Sequence, residues 1–182
     1  MRVNDPLPIA ETVLLAAVCG LFFGAAPDCE VVSDLELEPL SATAEEVVVG
    51  TIGFAGANAR GAITMTATVA AWRRLAPLAM GVTVSESTLC DSVGELANML
   101  AGRFRNALLR LGVEIRVATP IATRGTRLAV HAKETASVRR HDFAFGGAAF
   151  RLRFDVSFTH GFDFSGREWA AVDPNEQDLV LF

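Results

Sequence analysis

Glu95 and Asn98 are the two side chains of this sequence whose types and spacing best suit chemistry on another molecule. They lie three positions apart within residues 89–111, where apolar residues recur at steps of three and four. This recurrence predicts one long helix with a single apolar stripe, and residues three apart on a helix share a face. A carboxylate accepts hydrogen bonds, whereas a carboxamide both accepts and donates them without titrating. The pair could therefore hold polar groups of a second molecule.

The predicted helix turns this pair away from its own apolar stripe. The stripe consists of Leu89, Val93, Leu96, Leu100, Phe104, Leu108 and Leu111. At about 100° per residue, Asp91, Glu95, Asn98 and Arg105 fall together beside one another and away from that stripe. The sequence therefore predicts that these four side chains share one exposed face.

The surroundings of Asn98 on this face are unusually small. Gly94, Ala101 and Gly102 occupy three of the four positions that lie three or four residues away. A glycine inside a helix costs about 1 kcal/mol relative to alanine, so two of them need a reason. A bare helix face lets another surface approach the backbone closely. Small residues also help two helices of one fold to pack, and the residues alone leave both interpretations open.

The remaining helices are predicted on either side of a hairpin. Residues 8–24 suit a helix because Pro8 is tolerated near its start and Gly24 can end it. Residues 70–80 suit a second, shorter helix that stops at Gly81. The long helix at 89–111 can begin at a Ser87 or Thr88 cap and end at Gly112.

Strands are predicted wherever polar and apolar residues alternate. The predicted segments are residues 30–38, 46–54, 61–69, 113–119, 128–135 and 143–158, with turns at 55–60 and at Gly146-Gly147 and a short extended piece at 82–86. Helices and strands then occur in two similar halves, each a long helix followed by about three strands. The expected fold class is α/β of the α+β type, with an internal duplication.

Size and composition predict one domain. The chain has 182 residues, 51% of them apolar, and no low-complexity linker. We expect a single domain over residues 1–182, with its core at about 9–158 and a polar, loosely held tail at 159–182.

Charge is distributed unevenly along the chain. Residues 1–50 contain one basic and nine acidic side chains, whereas residues 103–153 contain eleven basic and three acidic ones. Ion pairs between the two parts explain this pattern, and steering of an acidic protein partner is the alternative. Few aromatic residues accompany the arginines, so nucleic acid is not an expected partner.

The cysteines and the first apolar run concern location. Cys19, Cys29 and Cys90 are odd in number and lack zinc-like spacing, which favours reduced thiols in the cytoplasm. The apolar run at 12–26 is too short to span a membrane, and acidic residues stand where a basic leader would be. A buried first helix is therefore favoured over a signal peptide, and no membrane contact is expected.

No cofactor or metal site is expected. His131, His141 and His160 are widely spaced and form no ligand or nucleophile motif. The glycine-rich residues 50–56 lack the Lys-Ser/Thr that a phosphate-binding loop requires.

The segment Asp91-Ser-Val-Gly-Glu95-Leu-Ala-Asn98-Met-Leu-Ala-Gly102 resembles the signature helix of the CheC/CheX/FliY phosphatases. Pro120 stands where that family has a proline, and the glycine-punctuated residues 50–56 and the closing residues 143–154 are similar to its hairpins. CheC-type members carry the Glu/Asn pair on two helices. In the first helix of this chain Glu11 is followed three residues later by Leu14, so the resemblance is closest to CheX.

This resemblance implies a fold, a reaction and a partner. The fold would place long helices on a mainly antiparallel sheet with two pseudo-symmetric halves. The reaction would be hydrolysis of the aspartyl phosphate of a CheY-like response regulator in chemotaxis or other two-component signalling. The regulator would supply Mg²⁺, and this chain would be a homodimer. A non-catalytic binding module with the same fold is the alternative.

The resemblance also implies residue roles. Asn98 would position the attacking water, and Glu95 would pair with the regulator's lysine. Asp91, Gly94, Gly102 and Arg105 would support the helix or contact the partner.

Overall fold

The computed structural model describes residues 5–22, 44–131, 136–145 and 147–164. Its elements, in chain order, are α1 (Leu7–Phe22), β1 (Val47–Gly56), β2 (Ala59–Thr68), α2 (Val69–Met80), α3 (Leu89–Arg110), β3 (Ile115–Val117), β4 (Ile121–Gly125), β5 (Ser137–Phe145) and β6 (Ala148–Phe158).

The strands form one antiparallel sheet. Its order is β3-β1-β2-β6-β5. β4 also pairs with β1, along Val47–Thr51, whereas β3 pairs with Phe54–Gly56 of the same strand. The hairpins β1–β2 and β5–β6 meet where β2 pairs with β6. This sheet and the three helices confirm the predicted α+β class, and the internal duplication stays a prediction.

The helices pack on one face of the sheet. α1, α2 and α3 contact one another, and α3 lies over β1, β3 and β4. Phe104 of α3 places its ring 5.6 Å from the ring of Phe54 on β1 and 5.6 Å from that of Phe154 on β6. These rings belong to a single hydrophobic core that includes buried residues of all three helices.

α3 comes unusually close to β1 at Gly50. A Cβ atom at this position would lie 2.8 Å from Val93 Cγ1 and 3.1 Å from the Val93 carbonyl oxygen. A backbone atom cannot yield as a flexible side chain does, so only glycine fits here without moving the helix. Gly50 therefore sets the height of α3 above the sheet. It does so at Val93, which lies one residue before Gly94 and two before Glu95.

The three predicted helices are confirmed, with ends within about two residues of the prediction wherever those ends are described. α2 stops at Gly81, whose φ is +68°. α3 stops at Gly112, whose φ is +67°, and the amides of Gly112 and Val113 donate to the carbonyls of Leu109 and Leu108. That pair of bonds is the Schellman motif, which satisfies carbonyls that the helix end leaves free.

The strand predicted at 128–135 is wrong over residues 128–131, the part of it that the structure describes. Residues 128–131 form no strand, and the structure has β4 at Ile121–Gly125 instead. Leu128 contacts Gly125, since a Cβ at that glycine would lie 3.1 Å from Leu128 Cδ2, and Arg153 donates to the carbonyl of Val130. The apolar run therefore folds over β4 and β6 rather than pairing. The short extended piece predicted at 82–86 has a bend at Val82 and the start of a turn at Glu86, and residues 83–85 between them pair with no strand.

The packed part of the chain continues beyond the expected boundary at residue 158. Phe164 is 3% exposed, and its ring lies 6.5 Å from that of Phe158 and 5.1 Å from that of Phe162. The predicted strand at 30–38, Cys29, Gly146 of the predicted turn and the tail after 164 lie outside the described residues. Within those residues, Cys19 and Cys90 are half-buried, and no helix is long and apolar enough to cross a membrane.

Several ion pairs link the acidic and basic parts of the chain. Arg139 Nε lies 3.3 Å from Glu11 Oε2, and Arg124 Nη2 lies 2.6 Å from Glu46 Oε2. Within the basic part itself, Arg151 of β6 makes a bidentate pair with Asp142 of β5, with both distances 2.7 Å, and these bonds raise the pKa of the Arg151 guanidinium. Pairing between the two parts, the first interpretation of the charge pattern, is therefore present.

Candidate functional site

α3 presents the predicted polar residues to solvent. Asp91, Glu95 and Asn98 are exposed, while Val93 and Leu96 between them are fully buried. The helix is held by its apolar stripe, every member of which is at most 4% exposed. The amphipathic pattern therefore places the Glu/Asn pair outside the core.

Within the described part of the chain, neither Glu95 nor Asn98 has a side-chain hydrogen bond or an ion pair. The same holds for Asp91. An exposed carboxylate and an exposed amide one helical turn apart are thus both available to another molecule. Their separation in sequence, Glu95 first and Asn98 three later, puts them on adjoining turns of the same face.

The two glycines beside Asn98 have no packing role in the described fold. A Cβ atom built at Gly94 or at Gly102 would meet nothing within 4 Å. Among the described residues, helix packing, the other interpretation of the small residues, therefore does not account for Gly94 and Gly102, whereas Ala101 is buried in the core. Gly50 makes the contrast, since a Cβ there would strike α3. Both glycines leave open space at the place where a larger residue would carry its Cβ, although Gly94 itself is buried and Gly102 is half-buried.

Arg105 differs from the other three residues of the predicted exposed face. It is half-buried, and its Nε and Nη2 donate to Asn106 Oδ1 at 3.4 Å. It continues the same face of the helix one turn beyond Gly102, but it leans along the helix surface rather than standing out from it.

The start of α3 is held by charges that the sequence analysis did not single out. Arg124 of β4 binds both Glu46, which precedes β1, and Glu86, which lies in the loop before α3; Glu86 also pairs with Arg73 of α2. The hydrogen bond from Arg124 lowers the pKa of the Glu46 carboxyl, and the same bond raises the pKa of Arg124. No local pattern could reveal this cluster, because its members come from four separate segments.

The N-cap residue of α3 is one of the two predicted, but it does not cap the helix with its side chain. Thr88 is the residue at the cap, but its side chain makes no capping hydrogen bond to the helix. Its Oγ1 instead lies 2.9 Å from Ser85 Oγ and accepts from the Ser85 amide. Asp91 in the first turn then provides the negative charge that favours a helix N-terminus.

α1 has no comparable face. Glu11 Oε1 lies 2.9 Å from His141 Nε2, and Leu14 is 1% exposed. The His141 Nε2 atom has no hydrogen bond of good geometry in spite of that short distance, so the contact is best described as a close polar pair. Elsewhere in the described residues, no group of three or more His, Cys, Asp or Glu side chains could hold a metal ion.

The fold and the site together define a class: a six-stranded antiparallel sheet whose helical layer turns one polar, glycine-flanked helix face outward. The family model for the chemotaxis phosphatase CheX matches residues 48–143, slightly more than half of the chain. The protein belongs to the CheX family. A search among curated protein sequences finds no match.

Solved structures share the fold. The CheX protein of Vibrio vulnificus matches with a TM-score of 0.63 and 20% identity, over 81% of this chain and 96% of that one. A CheC-like superfamily protein of Shewanella sp. PV-4 matches with a TM-score of 0.65 and 21% identity, over 86% and 99%. The CheX–CheY–BeF₃–Mg²⁺ complex from Borrelia burgdorferi matches with a TM-score of 0.56 and 13% identity, over 85% and 99%.

Proposed function

We propose that this protein is a phosphatase that accelerates hydrolysis of the aspartyl phosphate on a CheY-like response regulator. The observation that carries the proposal is the exposed, unpartnered Glu95/Asn98 pair on a helix face cleared by two glycines. Membership of the CheX family supports the reaction class. The related Borrelia burgdorferi CheX, which was solved with CheY, supports the kind of partner.

Asn98 is the proposed water-positioning residue. An acyl phosphate hydrolyses by itself, so a phosphatase need only hold a water molecule in line with the leaving carboxylate. A carboxamide accepts a hydrogen bond from that water through its oxygen and donates through its NH₂, and it stays neutral next to an anionic phosphoryl group. A carboxylate at the same place would repel the phosphate.

Glu95 is the proposed docking residue. It stands one turn before Asn98, exposed and without a partner in the described fold. A carboxylate in this position can form a charge-assisted hydrogen bond with the regulator's active-site lysine. That bond would fix the register of the helix over the pocket, and the open space at Gly94 and Gly102 would let the regulator's loops approach.

The chain contributes no cofactor in this proposal, because the regulator holds its own Mg²⁺. A homodimer, which the family resemblance implies, and a cytoplasmic location, which the cysteine pattern favours, are part of the same proposal. Sedimentation or light scattering of the purified chain measures the dimer directly.

The test is release of inorganic phosphate from a phosphorylated receiver domain, with and without this protein. The wild-type chain should increase the rate, and Asn98→Ala should reduce the increase about a hundredfold, because the water is no longer held. Asn98→Asp serves as a second variant of nearly equal size and should be equally inactive. Both should keep the wild-type unfolding temperature, since Asn98 is exposed. Full acceleration by either variant would contradict the mechanism.

A non-catalytic binding module is the second candidate. The exposed Glu95 and the open space at Gly94 and Gly102 favour it, because they would serve docking whether or not Asn98 positions a water molecule. In that case the wild-type chain binds the receiver and leaves its dephosphorylation rate unchanged.

A further inference from the structure

The polar face of α3 continues for two more turns and ends in an exposed leucine. Residues 91, 95, 98, 102, 105 and 109 follow one another at steps of four and three, so they lie along one line on the helix. The last of them, Leu109, is 56% exposed. The same line that carries Glu95 and Asn98 thus ends in an apolar side chain that faces solvent.

The fold does not need a leucine at this position. The helix end is closed by Gly112 and by the amide of Val113, which donates to the carbonyl of Leu108. The apolar contact that accompanies such an end joins the residues equivalent to Leu108 and Val113, and these are 2% and 0% exposed. Leu109 contributes only its carbonyl oxygen, which accepts from the Gly112 amide, and its side chain takes no part in the motif.

The neighbouring charge on the line is basic. Arg105 lies one turn before Leu109, and it has no carboxylate partner among the described residues. The first half of the line carries Asp91 and Glu95, whereas this second half carries one arginine and one leucine. A surface that covers the second half must therefore offer apolar area with acidic groups beside it.

One partner can cover both halves. Leu109 is eleven residues beyond Asn98, which corresponds to about 16 Å along a helix. A domain of roughly a hundred residues has a radius of gyration of about 13 Å, so its contact surface is wide enough for both positions. Continuity with the Glu95/Asn98 face thus points to the receiver itself rather than to a separate protein.

We propose that Leu109 is an apolar anchor for the receiver and that it selects among receivers. It would enter an apolar depression, bordered by carboxylates that face Arg105, about 16 Å from the phosphoacceptor. This inference rests on the proposed function for its choice of partner. It adds a specificity determinant that lies outside the Glu/Asn signature and does not touch the reacting atoms.

The experiment measures the dissociation constant of the complex with receivers held in their active form by BeF₃⁻ and Mg²⁺. A panel of receiver domains from the genome that encodes this chain supplies the partners. The test variant is Leu109→Gln, which removes the apolar contact without adding charge. The matched control is Leu78→Gln on α2, because Leu78 is 54% exposed and lies outside the line.

For the receiver that binds the wild-type chain best, Leu109→Gln should raise the dissociation constant about tenfold, because the buried apolar contact of the leucine is lost. Leu109→Met and Leu78→Gln should stay within about twofold. At saturating phosphorylated receiver, Leu109→Gln should still release phosphate at the wild-type rate, so that the loss falls on KM and not on kcat. The tenfold loss should persist at high salt, because the contact is not ionic.

An equal dissociation constant for Leu109→Gln and Leu78→Gln overturns the anchor. So does a Leu109→Met variant as weak as Leu109→Gln. Either result leaves the proposed function standing if Asn98→Ala still abolishes the acceleration. Conversely, a wild-type chain that binds the receiver but does not accelerate phosphate release overturns the proposed function, and the binding constants still decide the role of Leu109.

Discussion

α1 and α3 pack against each other on the same face of the sheet, yet they use the same residue type in opposite ways. Each carries a glutamate, and the residue three positions later is Leu14 in α1 and Asn98 in α3. Glu11 is held by His141 and Arg139 of β5, and Leu14 is in the core. Glu95 and Asn98 have no partner in the described fold.

This difference shows that the fold can satisfy a helical glutamate from its own sheet. The glutamate of α1, Glu11, pairs with Arg139 and so holds the helix to β5, and its side chain is 20% exposed. The glutamate of α3 has no partner in the described fold, and two glycines flank the amide of Asn98. Each glycine lowers the stability of the helix, and no contact in the described fold offsets that loss. In the described fold, the glutamate of α1 is used within the chain, and the glutamate of α3 is left available to another molecule.

The largest expected effect comes from copying the Glu/Asn pair into α1. Leu14→Asn creates the same spacing after Glu11, but it buries an amide and removes apolar contacts. We expect the free energy of unfolding to fall by about 3–5 kcal/mol. In an Asn98→Ala background the change should restore no phosphate release.

Chemical denaturation and the phosphate-release assay measure the two outcomes. Leu14→Met is the control and should cost less than about 1.5 kcal/mol, because it nearly conserves volume. A well-folded Leu14→Asn chain that regains activity would mean that spacing alone makes a site.

The second prediction removes the charge of each glutamate in turn. Glu95→Gln should weaken receiver binding about tenfold, because its bond to the lysine loses the charge, and should leave the unfolding free energy unchanged. Glu11→Gln should lower the unfolding free energy by up to about 1 kcal/mol and leave binding unchanged. Titration calorimetry and denaturation separate the two; equal binding losses in both variants would erase the contrast between the helices.

The smallest expected effect concerns the glycines. Gly94→Ala should raise the unfolding free energy by about 0.5–1 kcal/mol, because alanine favours the helix and its methyl group meets nothing in the described fold. The same methyl group should weaken receiver binding.

Gly20→Ala in α1 is the matched control. Its methyl group would lie 3.3 Å from Arg103 Nη1, the far end of a flexible side chain, so it should fit with little strain. It should stabilise the chain slightly and leave receiver binding unchanged. Binding by Gly94→Ala at wild-type strength would show that the open space has no role in docking.

The elements that the sequence predicts well are those governed by local periodicity. α3 was predictable because its seven apolar residues follow one helical stripe, and Gly112 supplies the positive φ that ends it. The exposure of Glu95 and Asn98 follows from the same periodicity. Their roles stay a prediction until activity is measured.

The features that the sequence did not predict depend on contacts between distant segments. Glu11 and Arg139 are 128 residues apart, and the closeness of Gly50 to Val93 depends on how α3 lies on β1. The apolar residues 128–131 look like a strand, but they are used to cover β4 and β6, where Val130 accepts from Arg153. β4 is short, lies at the edge of the sheet and follows Pro120, so its alternation is weak.

Gly50 has a consequence for recognising relatives that use α3 in the same way. Because Gly50 has no side chain, α3 can lie directly on β1 at this point. The height of the helix is therefore set by the sheet and needs no bound partner. A relative that keeps the Glu and Asn of the signature but carries a larger residue at this point of its first hairpin must carry its helix higher. Among such chains, the hairpin glycine and the helix asparagine should be retained or lost together, which ancestral reconstruction of the family can examine.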